Sequence, residues 1–272
     1  MCCPCEADQS REAPADEVVR GYITIRELME MNRGRLVSRC AAVVAAVLVA
    51  VFVAFGVYVG AYYHADEAVK EYLNRGAGAV KLEETSYGWF LDGPSDENAM
   101  VFYSGAKVDE AAYIPILYRF AEEGMDVCLV KMPFHLAVFG IDKADEVMAQ
   151  YDYENWYIGG HSLGGAMGAS YAAGHADEVR GVVLFAAYAT KKLDDSLKEI
   201  VVYGSEDGVL RLSKLEEGRT FAPKQYFEHV IEGGNHAQFG NYGEQKGDGR
   251  ALISAQEQQE ETVRVVMEAV EE

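Results

Sequence analysis

Cysteine is almost missing from the larger part of this chain. Of five cysteines, Cys2, Cys3, Cys5 and Cys40 stand before or at the start of an apolar segment, and only Cys128 follows it. Residues 64–272 can therefore form no internal disulfide. Cys128 lies in the apolar run "DVCLV" and reads as a buried core residue rather than a reactive thiol. The N-terminal "CCPC" lacks a second ligand cluster and an upstream signal region of the lipoprotein type, so residues 1–17 read as a polar, disordered tail. H-E-x-x-H, paired C-x-x-C and phosphate-loop patterns are also missing, so no metal or nucleotide cofactor is expected. Cations are scarce where acids are plentiful. The net charge is −20, with 18 Lys+Arg against 37 Asp+Glu in residues 64–272 and 6 against 7 in residues 1–63. A surface of that sign repels phosphate backbones, which excludes nucleic acid as an expected partner.

What is abundant is apolar. Residues 40–63, "CAAVVAAVLVAVFVAFGVYVGAYY", carry no formal charge over 24 positions. A helix of that length rises about 36 Å and crosses a hydrocarbon core of about 30 Å with some tilt. The segment is predicted to be one transmembrane helix. Arg33, Arg35 and Arg39 precede it within ten residues and only Lys70 follows it as closely, so the N-terminus is expected in the cytoplasm and the larger domain outside. The apolar stretch exceeds a usual signal core and no good A-x-A site follows it. Tyr58, Tyr62 and Tyr63 suit an interfacial belt. Before it, Thr24 and Glu27 in "TIRE" spell a capping box for a short helix ending near Gly34. The organisation expected is a tail over 1–39, a membrane helix over 40–63, a juxtamembrane helix and spacer over 64–79, and one catalytic domain over 80–272.

From residue 80, short apolar runs alternate with helical patterns. Strands are predicted at "VKLEET", "YGWFLDGP", "AMVFYSG", "DVCLVKMP", "NWYIGGHS", "GVVLFAAY", "EIVVYGSED" and "QYFEHVIEGG". Helices are predicted from Pro115 to before Gly124, over "DKADEVMAQY", from the end of "NWYIGGHS" to about Ala173, and at the C-terminus with Val263, Val266, Met267 and Val270 at core spacing. This alternation specifies an α/β fold, a mainly parallel sheet with helices on both faces, with catalytic residues at the C-terminal ends of strands.

Gly160-His161-Ser162-Leu163-Gly164 matches G-x-S-x-G between a strand and a helix. Glycine is required at 160 and 164 because a Cβ at either position of so tight a turn would strike neighbouring backbone. Ser162 is thereby lifted above the sheet edge as a candidate nucleophile. Serine needs a base to take its proton and a third group to hold that base. Asp207 follows the strand "IVVYGSE" and His236 follows "YFEHVIEGG", in the order Ser, Asp, His that this architecture uses. Glu206 competes with Asp207, and Asp207 is preferred because it stands further into the loop; standing alone, it reads as a turn former before Gly208. His236 lies in "GGNHAQFG", a loop composition rather than a core one. His161 is expected to point away from the serine and to serve as packing. His64, His135, His175 and His229 show no convergent spacing. The tetrahedral intermediate needs two donors: the N–H of Leu163, and that of Ala106 in the turn "SGAK", where Gly105 allows close approach.

Five blocks, "FYSGAKVDEAAY", "KMPFHLAVFG", "GGHSLGGAMGA", "YGSEDGV" and "IEGGNHAQFGNYGEQKGDGRALIS", resemble in their order the alpha/beta hydrolase fold-5 family, a membrane-anchored or secreted group related to dienelactone-hydrolase-like enzymes. The resemblance covers roughly residues 80–270. It implies the α/β-hydrolase fold, the triad Ser162, Asp207 and His236, and an oxyanion loop at Gly105-Ala106. His135 stands where that family is expected to carry asparagine.

The reading that follows is a serine hydrolase of carboxylic-ester type with no cofactor. The stretch between "FAAYATKKLDDSLKEI" and the next strand is too short for a helical lid, so an open site and a small acyl substrate, an ester or lactone, are expected. Two other readings stand beside it. One is a non-catalytic surface protein on a hydrolase scaffold; the other is an acyltransferase that passes the acyl group to an alcohol or amine.

Overall fold

The computed structural model describes residues 24–75 and 78–272, except for the side chain of Glu27. Cys2, Cys3, Cys5 and the rest of the predicted tail over 1–17 lie outside the described residues, as do the Glu27 half of the capping box and Gly76-Ala77 of the spacer. Two compact units are present, residues 1–57 and residues 58–272.

Helix α1 runs unbroken over Ile25–Gly60. The short helix expected to end near Gly34 is therefore part of α1, because a single glycine lowers helix stability by only about 1 kcal/mol and does not by itself reverse the backbone. Leu28–Gly60 is long and apolar enough to cross a membrane, and none of its most apolar window is buried in the protein. The helix stops at Gly60, so Ala61, Tyr62 and Tyr63 leave it. Tyr63 is held by residues 107–109: its N–H donates to the Lys107 carbonyl (2.7 Å) and its own carbonyl accepts from the Asp109 N–H (2.8 Å).

In residues 58–272 an eight-stranded sheet has the order β1-β2-β4-β3-β5-β6-β7-β8. Its strands are β1 (Lys81–Glu84), β2 (Gly88–Asp92), β3 (Asn98–Tyr103), β4 (Met125–Val130), β5 (Asn155–His161), β6 (Gly181–Phe185), β7 (Lys198–Gly204) and β8 (Gln225–Ile231). β1 pairs antiparallel with β2, and β2 antiparallel with β4; the other five pairings are parallel. Strands β4, β6 and β7 are buried along their whole length, as a sheet covered on both faces requires. The chain leaves β3 for β4 on one side, then crosses back to β5 on the other. That reversal opens a crevice at the carboxyl ends of β3 and β5, where Tyr103 stands beside Gly160.

The helices are α2 (Ala68–Leu73), α3 (Ile114–Glu122), α4 (Lys143–Met148), α5 (Leu163–Ala172), α6 (Leu212–Arg219) and α7 (Ala255–Glu271). Pro115 sits in the first turn of α3, where its missing N–H costs nothing. Ser254 and Glu257 close a reciprocal capping box on α7, which packs Val263 and Val266 into the core. α6 was not expected from the sequence: it buries only Leu215 and Gly218, too thin a stripe to produce a helical period. Residues 186–197, between β6 and β7, contain no helix.

Candidate active site

The turn from β5 into α5 is shaped by its glycines. Ser162 has φ 53° and ψ −120°, a left-handed backbone that a side-chain-bearing residue rarely adopts, and its N–H is tied to the Phe185 carbonyl at 2.9 Å. A Cβ on Gly160 would stand 2.6 Å from the backbone of Gly164 and Gly165, and one on Gly164 would stand 2.1 Å from the Tyr103 carbonyl oxygen. The collisions expected from the sequence are thus backbone collisions that no side-chain movement relieves. They also fix the start of α5 against the end of β3, where the turn through Gly105 begins.

In that turn nearly every amide is engaged. The N–H of Gly105 donates to the Tyr113 hydroxyl (3.1 Å), that of Lys107 to the His135 carbonyl (2.8 Å) and that of Val108 to the Gly105 carbonyl (3.3 Å). Among the described residues the N–H of Ala106 has no partner. Leu163, as first residue of α5, carries an N–H above the helical ladder. A Cβ on Gly105 would stand 2.8 Å from both His161 Nδ1 and the Tyr113 hydroxyl, so Gly105 is held by a buried pair behind it.

That pair is Tyr113 and His161, 2.7 Å apart between hydroxyl and Nδ1. Because the Gly105 N–H already donates to the Tyr113 oxygen, the hydroxyl proton is left to donate to Nδ1. Burial, followed by the neighbouring His236, holds the His161 imidazole well below its ordinary pKa, so it is neutral. Its ring lies tilted against His236, with centroids 4.4 Å apart. His161 is packing, as expected, but packing against the candidate base itself.

His236 Nδ1 lies 2.8 Å from Asp207 Oδ2, with side chains only 1% and 2% exposed. The other Asp207 oxygen accepts the N–H groups of Val209 (2.8 Å) and Leu210 (2.7 Å), so the carboxylate is fixed from two sides. Glu206, the competitor, turns instead to the Ser205 hydroxyl at 3.3 Å. With Nδ1–H donating to a carboxylate, the His236 lone pair sits on Nε2, which is buried and has no partner among the described residues. Ser162 and His236 line the same cavity, of about 290 Å³, together with Ala166, Ala186 and Ala187.

The loop that carries His236 is clamped. Gln258 of α7 accepts the N–H of Asn235 (2.9 Å) and donates to its carbonyl (2.8 Å). Asp248 accepts the N–H groups of Gly208 (3.1 Å) and His236 (3.2 Å) through Oδ1 and that of Ala237 (2.8 Å) through Oδ2. Sequence reasoning missed Asp248 and Tyr113. "GDG" at 247–249 reads as a turn, and Tyr113 as one more apolar-face residue ahead of α3. The remaining histidines do not converge. His135 stacks on Tyr62, His175 stacks on Tyr171, His229 bonds Glu261, and His64 tilts against Tyr62. Among the described residues no group of three His, Cys, Asp or Glu side chains is placed to hold a metal ion.

The profile of the alpha/beta hydrolase family matches residues 99–260, more than half of the chain. The chain belongs to the alpha/beta hydrolase family. Solved structures of similar fold include the monoacylglycerol lipase of Paleococcus ferrophilus (12% identity, 70% of this chain and 99% of that one, TM-score 0.53) and the dienelactone hydrolase of Anabaena variabilis ATCC 29413 (11%, 70% and 99%, 0.51). A membrane phospholipase A described as a bacterial virulence factor aligns over 88% of this chain and 98% of its own (11%, TM-score 0.54). At such identities this alpha/beta hydrolase shares the fold with each of them. No curated protein matches the sequence.

Proposed function

We propose that the chain is a serine hydrolase that cleaves a small carboxylic ester or lactone through an acyl-enzyme on Ser162. The observation that carries this reading is the buried His236–Asp207 pair, whose imidazole leaves Nε2 without a partner among the described residues and whose His236 lines one cavity with Ser162. His236 takes the Ser162 proton as the hydroxyl oxygen attacks the carbonyl carbon. The oxyanion that forms is met by the N–H groups of Ala106 and Leu163. His236 then gives its proton to the leaving alcohol, and water activated by the same imidazole releases the acid. Asp207 keeps the imidazole in the tautomer with Nε2 free.

A cavity of about 290 Å³ whose apolar lining is Leu163, Ala166, Ala186, Ala187, Val209 and Leu210 suits a short acyl group. The chain is anchored by α1 as a single-pass membrane protein, with the N-terminus cytoplasmic by its flanking arginines and the catalytic domain on the other side. Support for the anchor comes from the likeness to a membrane phospholipase A, which extends over more of this chain than residues 58–272 make up.

The test is hydrolysis of short- and long-chain p-nitrophenyl esters by the full chain in detergent micelles. Short esters should be turned over, with Ser162→Ala reducing kcat by a factor on the order of a million. Undiminished turnover by Ser162→Ala, or preference for long-chain esters, would overturn the reading.

A further inference from the structure

The turn that presents Ala106 is held from outside by the residues that leave α1. Tyr63 forms a parallel bridge with Val108: its N–H donates to the Lys107 carbonyl (2.7 Å) and its carbonyl accepts the Asp109 N–H (2.8 Å). Both peptide units flanking Val108 are thus tied to Tyr63. The Val108 N–H reaches back to the Gly105 carbonyl at 3.3 Å. A trans peptide is planar, so the bond that fixes the Gly105 carbonyl also fixes the Ala106 N–H, which points the opposite way. Tyr62 acts on the same turn by a second route. Its ring stacks on His135 with centroids 4.0 Å apart, and the His135 carbonyl accepts the Lys107 N–H at 2.8 Å. The segment also reaches the loop between His236 and Asp248, where the Tyr63 hydroxyl accepts the Lys246 N–H (3.2 Å) and the Asp66 N–H donates to the Asn241 carbonyl (2.8 Å).

Resting on the hydrolase reading above, we propose that Tyr62 and Tyr63 are positioning residues that aim the Ala106 N–H at the oxyanion, which makes the first residues after α1 a working part of the catalytic domain. The backbone of the turn shows why it needs them. Lys107, Phe134 and His135 all have positive φ (59°, 57° and 53°), and none is glycine. Residues with side chains stay in that region only where their surroundings over-determine them. Here the two strained stretches meet in the Lys107–His135 bond, and each is braced by one tyrosine. Tyr63 holds Lys107 by its carbonyl, and Tyr62 holds His135 by its ring. Without the braces the turn relaxes, and the Ala106 N–H swings off its line. Negative charge gathers on the substrate oxygen only in the transition state, so a misaimed donor costs turnover and leaves ground-state binding alone. Because the same segment reaches the His236 loop, one strap spans the donor and the base.

The experiment compares three full chains in detergent micelles: the wild type, the pair Tyr62→Ala with Tyr63→Ala, and the pair Tyr62→Phe with Tyr63→Phe. The alanine pair loses the stack on His135 and the Tyr63 ring, which lies 5.6 Å from that of Tyr242; the phenylalanine pair keeps both rings. Each chain is assayed on p-nitrophenyl acetate and inhibited by a short alkyl trifluoromethyl ketone, whose carbonyl carbon takes the Ser162 oxygen and leaves an oxyanion. In the alanine pair kcat should fall about 10- to 100-fold, the scale of an ångström of misplacement, with KM little altered. Ketone inhibition should weaken by a similar factor, and the phenylalanine pair should restore most of both. An alanine pair with kcat and ketone inhibition as in the wild type would overturn the proposal. So would KM and the unfolding temperature shifting as far as kcat, or a phenylalanine pair no better than the alanine one. Amide hydrogen exchange at residues 107–109 separates the two readings, because it needs no turnover. If no chain hydrolyses the ester or binds the ketone and exchange quickens only in the alanine pair, the hydrolase reading fails and the strap stands as the support of this turn. If every chain hydrolyses the ester with equal kcat and exchange is unchanged, the hydrolase reading stands and the strap fails.

Discussion

Asp248 accepts the backbone N–H of His236, and the same carboxylate oxygen accepts the N–H of Gly208, next to Asp207. One side chain therefore ties the loop of the acid to the loop of the base, and the 2.8 Å approach of His236 to Asp207 depends on both loops holding still. A Cβ on Gly249 would fall on the Glu206 carbonyl oxygen, so the clamp also lies flush against the acid loop.

Replacing Asp248 by asparagine turns an amide group toward at least one of the N–H donors it now accepts. Expected are a loss of kcat of about 10- to 100-fold with KM little altered, and a stability cost of about 1–3 kcal/mol for the unpaired donors. Steady-state kinetics with thermal unfolding reads both. An unchanged kcat would show that the two loops keep their register without the clamp.

Asp207→Asn keeps the shape of the acid but no longer accepts the Nδ1 proton as a carboxylate does, so the imidazole turns its proton toward Ser162. Turnover of a short ester should fall by about ten-thousandfold. Glu206→Gln, whose side chain reaches only Ser205, should lose less than about threefold by the ordinary scale of surface substitutions. Comparable losses in the two variants would reopen the choice between these neighbours.

Tyr113→Phe removes the hydroxyl shared by the Gly105 N–H and His161 Nδ1. Two buried polar groups are then left without partners, at a cost of about 1–3 kcal/mol each. Unfolding in detergent should show the loss, and kcat should fall with it, because Gly105 sets the turn that presents Ala106 and His161 supports the His236 ring. A variant as stable as the parent would show that water or a rearranged imidazole replaces the hydroxyl.

Glu199, buried in β7 with one carboxylate oxygen unpartnered, has its pKa pushed up to about 7 by burial. Between the ordinary carboxylate value and that raised one, the unfolded chain has released this proton while the folded chain keeps it. Stability therefore falls as pH rises through the window. The stability of Glu199→Gln relative to the parent should grow by about 3 kcal/mol from about pH 4 to about pH 8. A difference that does not change with pH would place the carboxyl in contact with solvent.

The parts of this molecule that could be read in the sequence are those where one residue type has one physical use. The glycines at 160 and 164 were legible because only glycine survives that turn, and Ser162, Asp207 and His236 because each follows an apolar run at a strand end. The fully buried strands β4, β6 and β7 announced themselves as unbroken apolar stretches. What stayed hidden depends on contacts between distant segments. Asp248 meets His236 and Gly208 across 12 and 40 positions, and "GDG" alone says only that the chain turns. Tyr113 reads as core until its hydroxyl is seen between Gly105 and His161. α6 was invisible because it rests on the domain by two residues, and the break expected at Gly34 did not occur because a helix tolerates an isolated glycine.

The central claim, that the Ser162 hydroxyl is made nucleophilic by His236, is tested most directly by reacting the full chain with a fluorophosphonate probe and mapping the adduct by peptide mass spectrometry. The account predicts one adduct, on the peptide carrying Ser162, formed rapidly by the wild-type chain and lost in His236→Ala. No adduct at Ser162, or one formed equally fast without the imidazole, would contradict it.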